Sequence, residues 1–403
     1  MHSALTTVFR CRSTNIPTTG AVALILAMIT GGLAFAGKPS GAGNGGGGKE
    51  PPPLPPPILY ELTWIDMGPG WSARAYDMNN NGTVVGTAFS ASGDVAYKFR
   101  DGIVDNLNLL GARWTDLDEP NGSTSGWTAT EARKINVLGQ IVGTALNKFT
   151  LAERAFVLSF PEEAPPEFTL LPSLGLSHTF GAAINDLSVV IATSDAGYIV
   201  YAPGTDPQFL LDVPSAGSDR RCDLNNYGEF VNGRGVYFAP IGIYDYSSGV
   251  FIQETDHWFY GINDFGAICG SRKSVKGKNG QQGGPIRRGP FPNGTEQLLG
   301  AGSVTDFAAD INEAGDVCYT YVNRGYLYTD LAGNDGQPLG TLALDSLILF
   351  PDAASETEWK SSPCTLWALN DPDETGFGQV CGILGNSGAW RSFVLTPVPV
   401  EAP

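Results

Sequence analysis

A β-propeller of seven four-stranded antiparallel blades is the fold this sequence predicts, and three observations predict it. A short motif built on asparagine recurs seven times, the stretches between recurrences read as further strands, and one surplus strand near the start matches one missing strand at the end. Recurrence at this spacing means one supersecondary unit stacked on itself.

The motif runs AYDMNNNGTVVGT from Ala75, ARKINVLGQIVGT from Ala132, GAAINDLSVVIAT from Gly181, RCDLNNYGEFVNG from Arg221, FYGINDFGAICGS from Phe259, AADINEAGDVCYT from Ala308 and LWALNDPDETGFGQVCG from Leu366. An apolar or alternating run, a two- or three-residue turn and a second run rich in Val, Ile and Cys read as a β-hairpin. Asn79, Asn136, Asn185, Asn225, Asn263, Asn312 and Asn370 open the turns. Each side chain is expected to accept a backbone N–H two residues on, and the glycine at the fourth position to supply positive φ. Turn geometry alone therefore accounts for the asparagines.

Third strands follow as VAYKF at Val95, RAFVLSF at Arg154, GYIVYAP at Gly197, GVYFAP at Gly235, GYLYTDL at Gly325 and WRSFVLTP at Trp390. Fourth strands read as VDNLNLL at Val104, FTLLPSL at Phe168, QFLLDVP at Gln208, GVFIQET at Gly249, TEQLLGA at Thr295 and a longer stretch around Leu342 to Phe350. Successive asparagines lie 57, 49, 40, 38, 49 and 58 residues apart, around the roughly 40 to 50 residues of a propeller blade. Longer units are expected to carry longer loops. The last unit lacks a fourth strand, and Ile58 to Met67 is the strand left over. Pairing the two would close the ring and hide the sheet edges.

The propeller is expected to occupy residues 58–397, with a disordered tail at 398–403. Residues 1–36 read as a cleaved signal peptide: Arg10 and Arg12 precede the run AVALILAMI, closed by Ala34-Phe35-Ala36. That run is shorter than the roughly 20 residues a membrane span needs, so no span is expected in the mature chain. Residues 37–57, GKPSGAGNGGGGKEPPPLPPP, read as a Gly/Pro linker that cannot bury a core.

The formal charge of −17 becomes −19 on loss of Arg10 and Arg12. Such a surface repels nucleic acid and anionic lipid. Ser271 to Gly289 opposes the trend with six basic residues and no acidic one; it reads either as a solvated loop or as a site for an anionic polysaccharide. Five cysteines survive signal removal, and Cys269, Cys318 and Cys381 stand in a column otherwise held by Val85, Val142, Ile191 and Val231, as small buried hydrophobes. A Cys364–Cys381 disulfide is one pairing the spacing leaves open.

The repeat pattern Ala-x-x-Ile-Asn-x-x-Gly-x-Val-Val-Gly, followed by an Ala-Phe pair, resembles the HAF-repeat extracellular proteins over nearly all of residues 58–397, best at Ala132 to Thr144 and Arg154-Ala155-Phe156. The family's His is absent, with Arg154, Val95 and Arg391 in the corresponding places; Asn232 replaces a second-strand glycine and the seventh turn carries five extra residues. The resemblance implies a secreted or envelope-associated repeat protein and supplies no catalytic residues.

Catalysis finds little support. His178 and His257 are the histidines outside the signal, each read as a loop residue, and no nucleophile elbow or zinc-ligand pair occurs. Asp77-x-Asn79-x-Asn81-Gly82 opens like a calcium loop but has Ala88 where the closing Glu belongs, so an ordinary turn is preferred. No cofactor or metal is expected. The links between blades, on the face opposite the asparagine turns, gather Trp71, Trp127, His178, Asp219, Arg220, His257, Trp258, Asp306 and Trp359. Aromatic faces beside polar groups suit sugars or partner side chains, while the same tryptophans could instead plug the spaces between blades. The sequence thus points to a monomeric, secreted, non-enzymatic binding or scaffold module whose partner is a polysaccharide or an envelope protein. The alternatives are a carbohydrate-active enzyme with carboxylates at the channel mouth and a structural coat protein.

Overall fold

The computed structural model describes residues 58–399 apart from 120–123, 211–220, 234, 239–249, 255, 274–282, 291–293, 301–305, 333–337 and 386–389. The chain divides into Met1–Leu54 and Pro55–Pro403, and every described residue belongs to the second unit. Residues 1–57, on which the signal and linker readings fall, and residues 400–403 lie outside the described residues.

Each asparagine motif closes a hairpin, and each hairpin forms the inner half of a separate sheet, seven in all. Sheet 1 is Ser72–Met78, Val84–Ser90, Gly93–Arg100 and Ile103–Asn106. Sheet 2 is Trp127–Ile135, Ile141–Asn147, Glu153–Ser159 and Glu167–Leu170. Sheet 3 is Thr179–Ile184, Val190–Ser194, Gly197–Tyr201 and Gln208–Leu210; sheet 4 is Asp223–Leu224, Phe230–Val231, Gly235–Phe238 and Val250–Gln253. Sheet 5 is His257–Ile262, Ile268–Arg272, Gly284–Arg288 and Glu296–Leu298; sheet 6 is Phe307–Ile311, Val317–Tyr321, Arg324–Ala332 and Pro338–Ala343. Sheet 7 takes Cys364–Leu369, Val380–Leu384 and Arg391–Pro399 from the end of the chain, and its fourth strand is Ile58–Ile65 from the start. That strand pairs antiparallel from Ile58 opposite Pro399 to Ile65 opposite Ser392. The result is a β-propeller of antiparallel four-stranded meanders.

Two sheets exceed the expected four strands. Arg113–Asp116 lies parallel on the outer edge of sheet 2, against Glu167–Leu170. Ile348–Leu349 lies parallel on Ile58–Ile65 in sheet 7. The two longest repeat spacings, expected to hold longer loops, hold these straps instead, and the second also holds the helix Ala353–Ser361. An edge strand offers unpaired N–H and C=O groups, and a strap that pairs with it satisfies them. Arg154 anchors the first strap: its guanidinium meets Asp116 at 3.3 Å and Asp118 at 3.1 Å and also donates to the Leu171 carbonyl.

Several other expectations need correction. The fourth strand of sheet 6 is Pro338–Ala343, upstream of the stretch the pattern suggested, because Ile348–Leu349 has left for sheet 7. The described ends of the basic segment are strand rather than loop, in Ile268–Arg272 and Gly284–Arg288: Arg272 pairs with Glu296, Arg287 with Asp330 and Arg288 with Glu254. Its residues 274–282 lie outside the described residues. The last strand runs to Pro399, two residues past the expected boundary. Cys364 and Cys381 form no disulfide, since Cys364 faces Leu384 across the hairpin and Cys381 faces Ala368. All five cysteines are buried, and burial pushes the thiols of Cys269, Cys318 and Cys381 well up.

The described core falls into seven clusters, and each bridges two neighbouring sheets. One joins sheet 7 to sheet 1 through Ile65, Val394, Ala75 and Tyr97, so hydrophobic packing closes the ring. Tyr60, on the strand supplied by the N-terminal side, is fully buried and donates its hydroxyl to the Gly378 carbonyl at 3.2 Å. Tyr60→Ala is expected to cost about 3–5 kcal/mol, and deletion of residues 58–65 to abolish cooperative thermal unfolding of the closed ring. Chemical denaturation and calorimetry measure both, and a neutral deletion would show that closure does not depend on this strand.

Candidate binding site in the central channel

The seven asparagines form a closed ring of hydrogen bonds around the channel. The Nδ2 of Asn79 donates to the carbonyl of Asn136 at 3.0 Å, and the relay continues through Asn185, Asn225, Asn263, Asn312 and Asn370. It returns from Asn370 to the Asn79 carbonyl at 3.5 Å. The same side chains build the expected turns: the Oδ1 of Asn263 accepts the N–H of Phe265 at 3.1 Å and of Ala267 at 2.9 Å. Positive φ falls on Gly82, Gly139, Gly228, Gly266, Gly315 and Gly376 as the turn needs, while Ser188 takes φ 61 in sheet 3. Turn geometry therefore explains only half of each asparagine; the other half ties one sheet to the next.

The residue after each asparagine adds a rim. Asp186 Oδ1 accepts the Val137 N–H at 2.9 Å, and the pattern repeats from Asp186 to Asn226, Asn226 to Asp264, Asp264 to Glu313, Glu313 to Asp371 and Asp371 to Asn80. The relay breaks where Val137 has no side-chain acceptor. Burial raises the Glu313 carboxyl to about 7, with Asp264, Asp371 and Asp223 reinforcing the shift and the Asp264 N–H opposing it. Within this rim lies a cavity of about 180 Å³.

Two positions before the asparagines, the channel wall carries Asp77, Lys134, Asp223 and Asp310. Each carboxylate accepts a backbone N–H of the next sheet: Asp77 from Ile135 at 2.8 Å, Asp223 from Ile262 at 2.9 Å and Asp310 from Leu369 at 2.9 Å. Lys134 reaches Asp77 at 3.2 Å and Asp223 at 2.9 Å, linking sheets 1, 2 and 4 across the channel. Burial pushes Asp310 up to about 8, aided by Asp223 and Asp77 and opposed by Lys134. The calcium-loop reading fails on this geometry, since Asp77 turns to Lys134 while the Oδ1 of Asn79 is taken by the N–H groups of Asn81 and Thr83. Among the described residues no cluster is suited to a metal ion.

A β-bulge interrupts the innermost strand in six sheets, leaving Tyr76, Arg133, Ala182, Tyr260, Ala309 and Trp367 unpaired. A bulge re-aims the extra side chain, and all of these except Ala182 line a recess further from the asparagine ring, with Arg221, Cys222 and Phe307. Arg221 lies over Phe307 at 4.6 Å, Tyr260 at 4.8 Å and Trp367 at 5.0 Å; Arg133 lies over Tyr76 at 4.6 Å. Glycine in the second strand lets the bulged strand approach: a Cβ at Gly86 would sit 2.0 Å from the Arg74 carbonyl oxygen.

The residues named from the links between blades are scattered by comparison. Trp71 and Trp127 are half-buried against the clusters between sheets 7 and 1 and between sheets 1 and 2. His178 and His257 are not loop residues: His178 sits in a bridge to Glu153, and His257 opens a strand, 2.7 Å from Glu296. Trp258 follows His257, with Lys273 Nζ 4.5 Å over its ring. Asp306 is buried and accepts the Val322 N–H at 2.7 Å. Trp359 is fully buried in the helix after sheet 6, its indole bonded to Asp345 at 2.7 Å, and acts as a plug rather than a binding surface. Asp219 and Arg220 lie outside the described residues. The sequence reading missed the rim, the channel carboxylates and the bulged aromatics; aligned repeats show each as a column beside the asparagine.

Two expected outcomes follow from the channel. Asp serves a turn as well as Asn, but Asn263→Asp removes the donor to Asn312 and sets a charge against its carbonyl. A loss of about 1–3 kcal/mol in chemical denaturation is expected. Asp310 is proton-loaded in the folded chain up to about 8 and ionised in the unfolded chain above about 4, so its contribution to stability declines as pH rises through that window. Glu313 acts in the same sense up to about 7. The thermal midpoint should fall between pH 5 and pH 9, and Asp310→Asn, which keeps an acceptor for the Leu369 N–H, should make that fall shallower.

No protein-family model matches the chain and no curated sequence is similar to it. Among solved structures it is similar to virginiamycin B lyase from Staphylococcus aureus, at 9% identity over 84% of this chain and 99% of that one with a TM-score of 0.41. It is similar also to the β-propeller domain of the Trilobed protease from Pyrococcus furiosus, at 9% identity over 82% and 96% with a TM-score of 0.40. Sqt1 from Chaetomium thermophilum gives 10% identity over 81% of each chain and a TM-score of 0.39.

Proposed function

We propose that the chain is an exported, monomeric seven-bladed propeller of the HAF-repeat type that binds a saccharide or an envelope protein without chemical turnover. The binding face is the one opposite the asparagine ring. The observation that carries this reading is the condition of the channel carboxylates. Asp77, Asp223 and Asp310 each hold a backbone N–H of the next sheet, so the groups a glycosidase would use as acid and base serve as cross-links. A cavity of about 180 Å³ at the acidic mouth is also smaller than the roughly 300–1,000 Å³ of ordinary small-molecule sites.

The competing carbohydrate-active enzyme draws on Glu313, whose carboxyl is pushed to about 7 at the mouth, a value suited to a general acid. A glycan array with the full chain, followed by reducing-end assays on each hit, separates the two. Binding without turnover is the expected result, weakened about tenfold by Trp258→Ala through loss of one aromatic contact. Turnover that disappears in Glu313→Gln would establish the enzyme instead.

A further inference from the structure

We propose that the groove between sheets 1 and 2, at the asparagine end of their seam, is a binding site for a neutral saccharide. It goes beyond the binding face above and uses none of the charged groups of the relay. Its origin is one column of the third strands. The residue opposite the second-strand Val, Ile or Cys is Val157 in sheet 2, Val200 in sheet 3, Leu327 in sheet 6 and Val394 in sheet 7, and each packs toward the next sheet. In sheet 1 that place belongs to Lys98, opposite Val85. Arg287 in sheet 5 is the other cation of the column, and it crosses its seam to Asp330 and lies 5.5 Å over Tyr328. An ammonium cannot be packed into an apolar seam without partners. Lys98 turns to Asp105 at 3.5 Å and lies 4.7 Å over the Phe160 ring, and the seam beyond Ile135 and Ile141 stays open as a cavity of about 470 Å³.

That volume lies within the roughly 300–1,000 Å³ of small-molecule sites, where the acidic mouth falls short. Ile103 and Leu138, each 64% exposed, and Phe160, 36% exposed, stand around it. Isolated exposed apolar residues are ordinary, but three around one cavity point to a contact surface. The ionic lining sums to zero: Lys98 pairs with Asp105, and Arg100 with Asp101 at 3.3 Å. A cavity without net charge has no preference for an ion, and a chain of formal charge −17 repels free anions. All four side chains keep part of their surface in solvent, so each retains donors or lone pairs for a ligand. A pyranose matches both linings. Its C–H faces lie on the phenyl ring and the aliphatic side chains, and its hydroxyls donate to the carboxylates and accept from the cations in charge-assisted hydrogen bonds.

Calorimetric titration of the full chain with maltotriose, cellotriose and triacetylchitotriose tests the site. Saturable binding of at least one is expected, weakened about tenfold or more by Lys98→Val, which restores the residue type of sheets 2, 3 and 7 and lets the seam close. Phe160→Ala removes one apolar wall and should weaken binding about tenfold. Phe160 is half-exposed and lies outside the core cluster of this seam, so its variant keeps the test decisive if the Lys98 variant fails to fold. Trp258→Ala, on the other face, should leave this affinity unchanged. Absence of saturation with all three sugars, unchanged affinity in both groove variants, or tighter binding of trigalacturonate than of any neutral sugar overturns the proposal. Binding lost in Trp258→Ala and untouched by both groove variants sinks this site and leaves the binding face intact; binding lost in the groove variants alone supports the site and owes nothing to that face.

Discussion

Every level of this molecule depends on a single hydrogen bond made seven times, from the side-chain amide of one asparagine to the backbone carbonyl of the next. The amide is suited to it because it carries an acceptor and a donor on one short, stiff arm. The oxygen takes one or two N–H groups of its own turn and the nitrogen reaches across the seam. Aspartate would lack the donor, serine the reach and the second function, and glutamine would add a rotatable bond. With both ends engaged, the turn fixes the orientation of the amide, and the amide fixes the spacing between sheets.

That spacing sets the channel in layers. Above the ring, the next residue repeats the same logic with carboxylates and amides that take N–H groups from the preceding sheet. Below it, three aspartates bind N–H groups of the following sheet and Lys134 offsets two of them. Three carboxylates, two of them buried and one partly buried, and one ammonium cannot all be ionised cheaply in a low-dielectric wall. The strain is relieved at Asp310, which holds its proton to about 8. Further along, the bulge turns the bulky residues inward and changes the chemistry of the channel from acidic to aromatic and guanidinium-rich.

Much of this was legible in the sequence, for reasons that separate local from non-local information. The hairpins, the positive-φ glycines and the pairing of Ile58–Ile65 with the last strand follow from period-two patterning and from a surplus set against a deficit. The inter-sheet bond of each asparagine was hidden because its partner lies 38 to 58 residues away, or 291 for the closing pair, and a turn already explained the residue type. The straps were hidden because Arg113–Asp116 and Ile348–Leu349 are too short to show alternation and earn their strand geometry only from an edge elsewhere. Trp359 and Asp306 sat in links between sheets, where the sequence left a binding surface and a plug both open; the links fold back and bury both. The bulge was invisible to a period-two reading, and with it the inward direction of Tyr76, Arg133 and Trp367.

The division of labour along the channel bears on where recognition can evolve. Residues tied into a closed relay constrain one another: replacing any member strands a donor or an acceptor on a neighbour, at a cost of about 1–3 kcal/mol. The asparagine face is therefore held by its own architecture, and its acids have little freedom to serve a ligand. The bulged position carries no such obligation, because its residue lies outside the ladder that pairs the inner strands. It holds Tyr, Arg, Ala, Tyr, Ala and Trp in different sheets of one ring without disturbing the pairing on either side. A propeller closed by a uniform interaction at one end can thus vary freely at the other, and the irregularity of that second mouth is what a specific ligand requires.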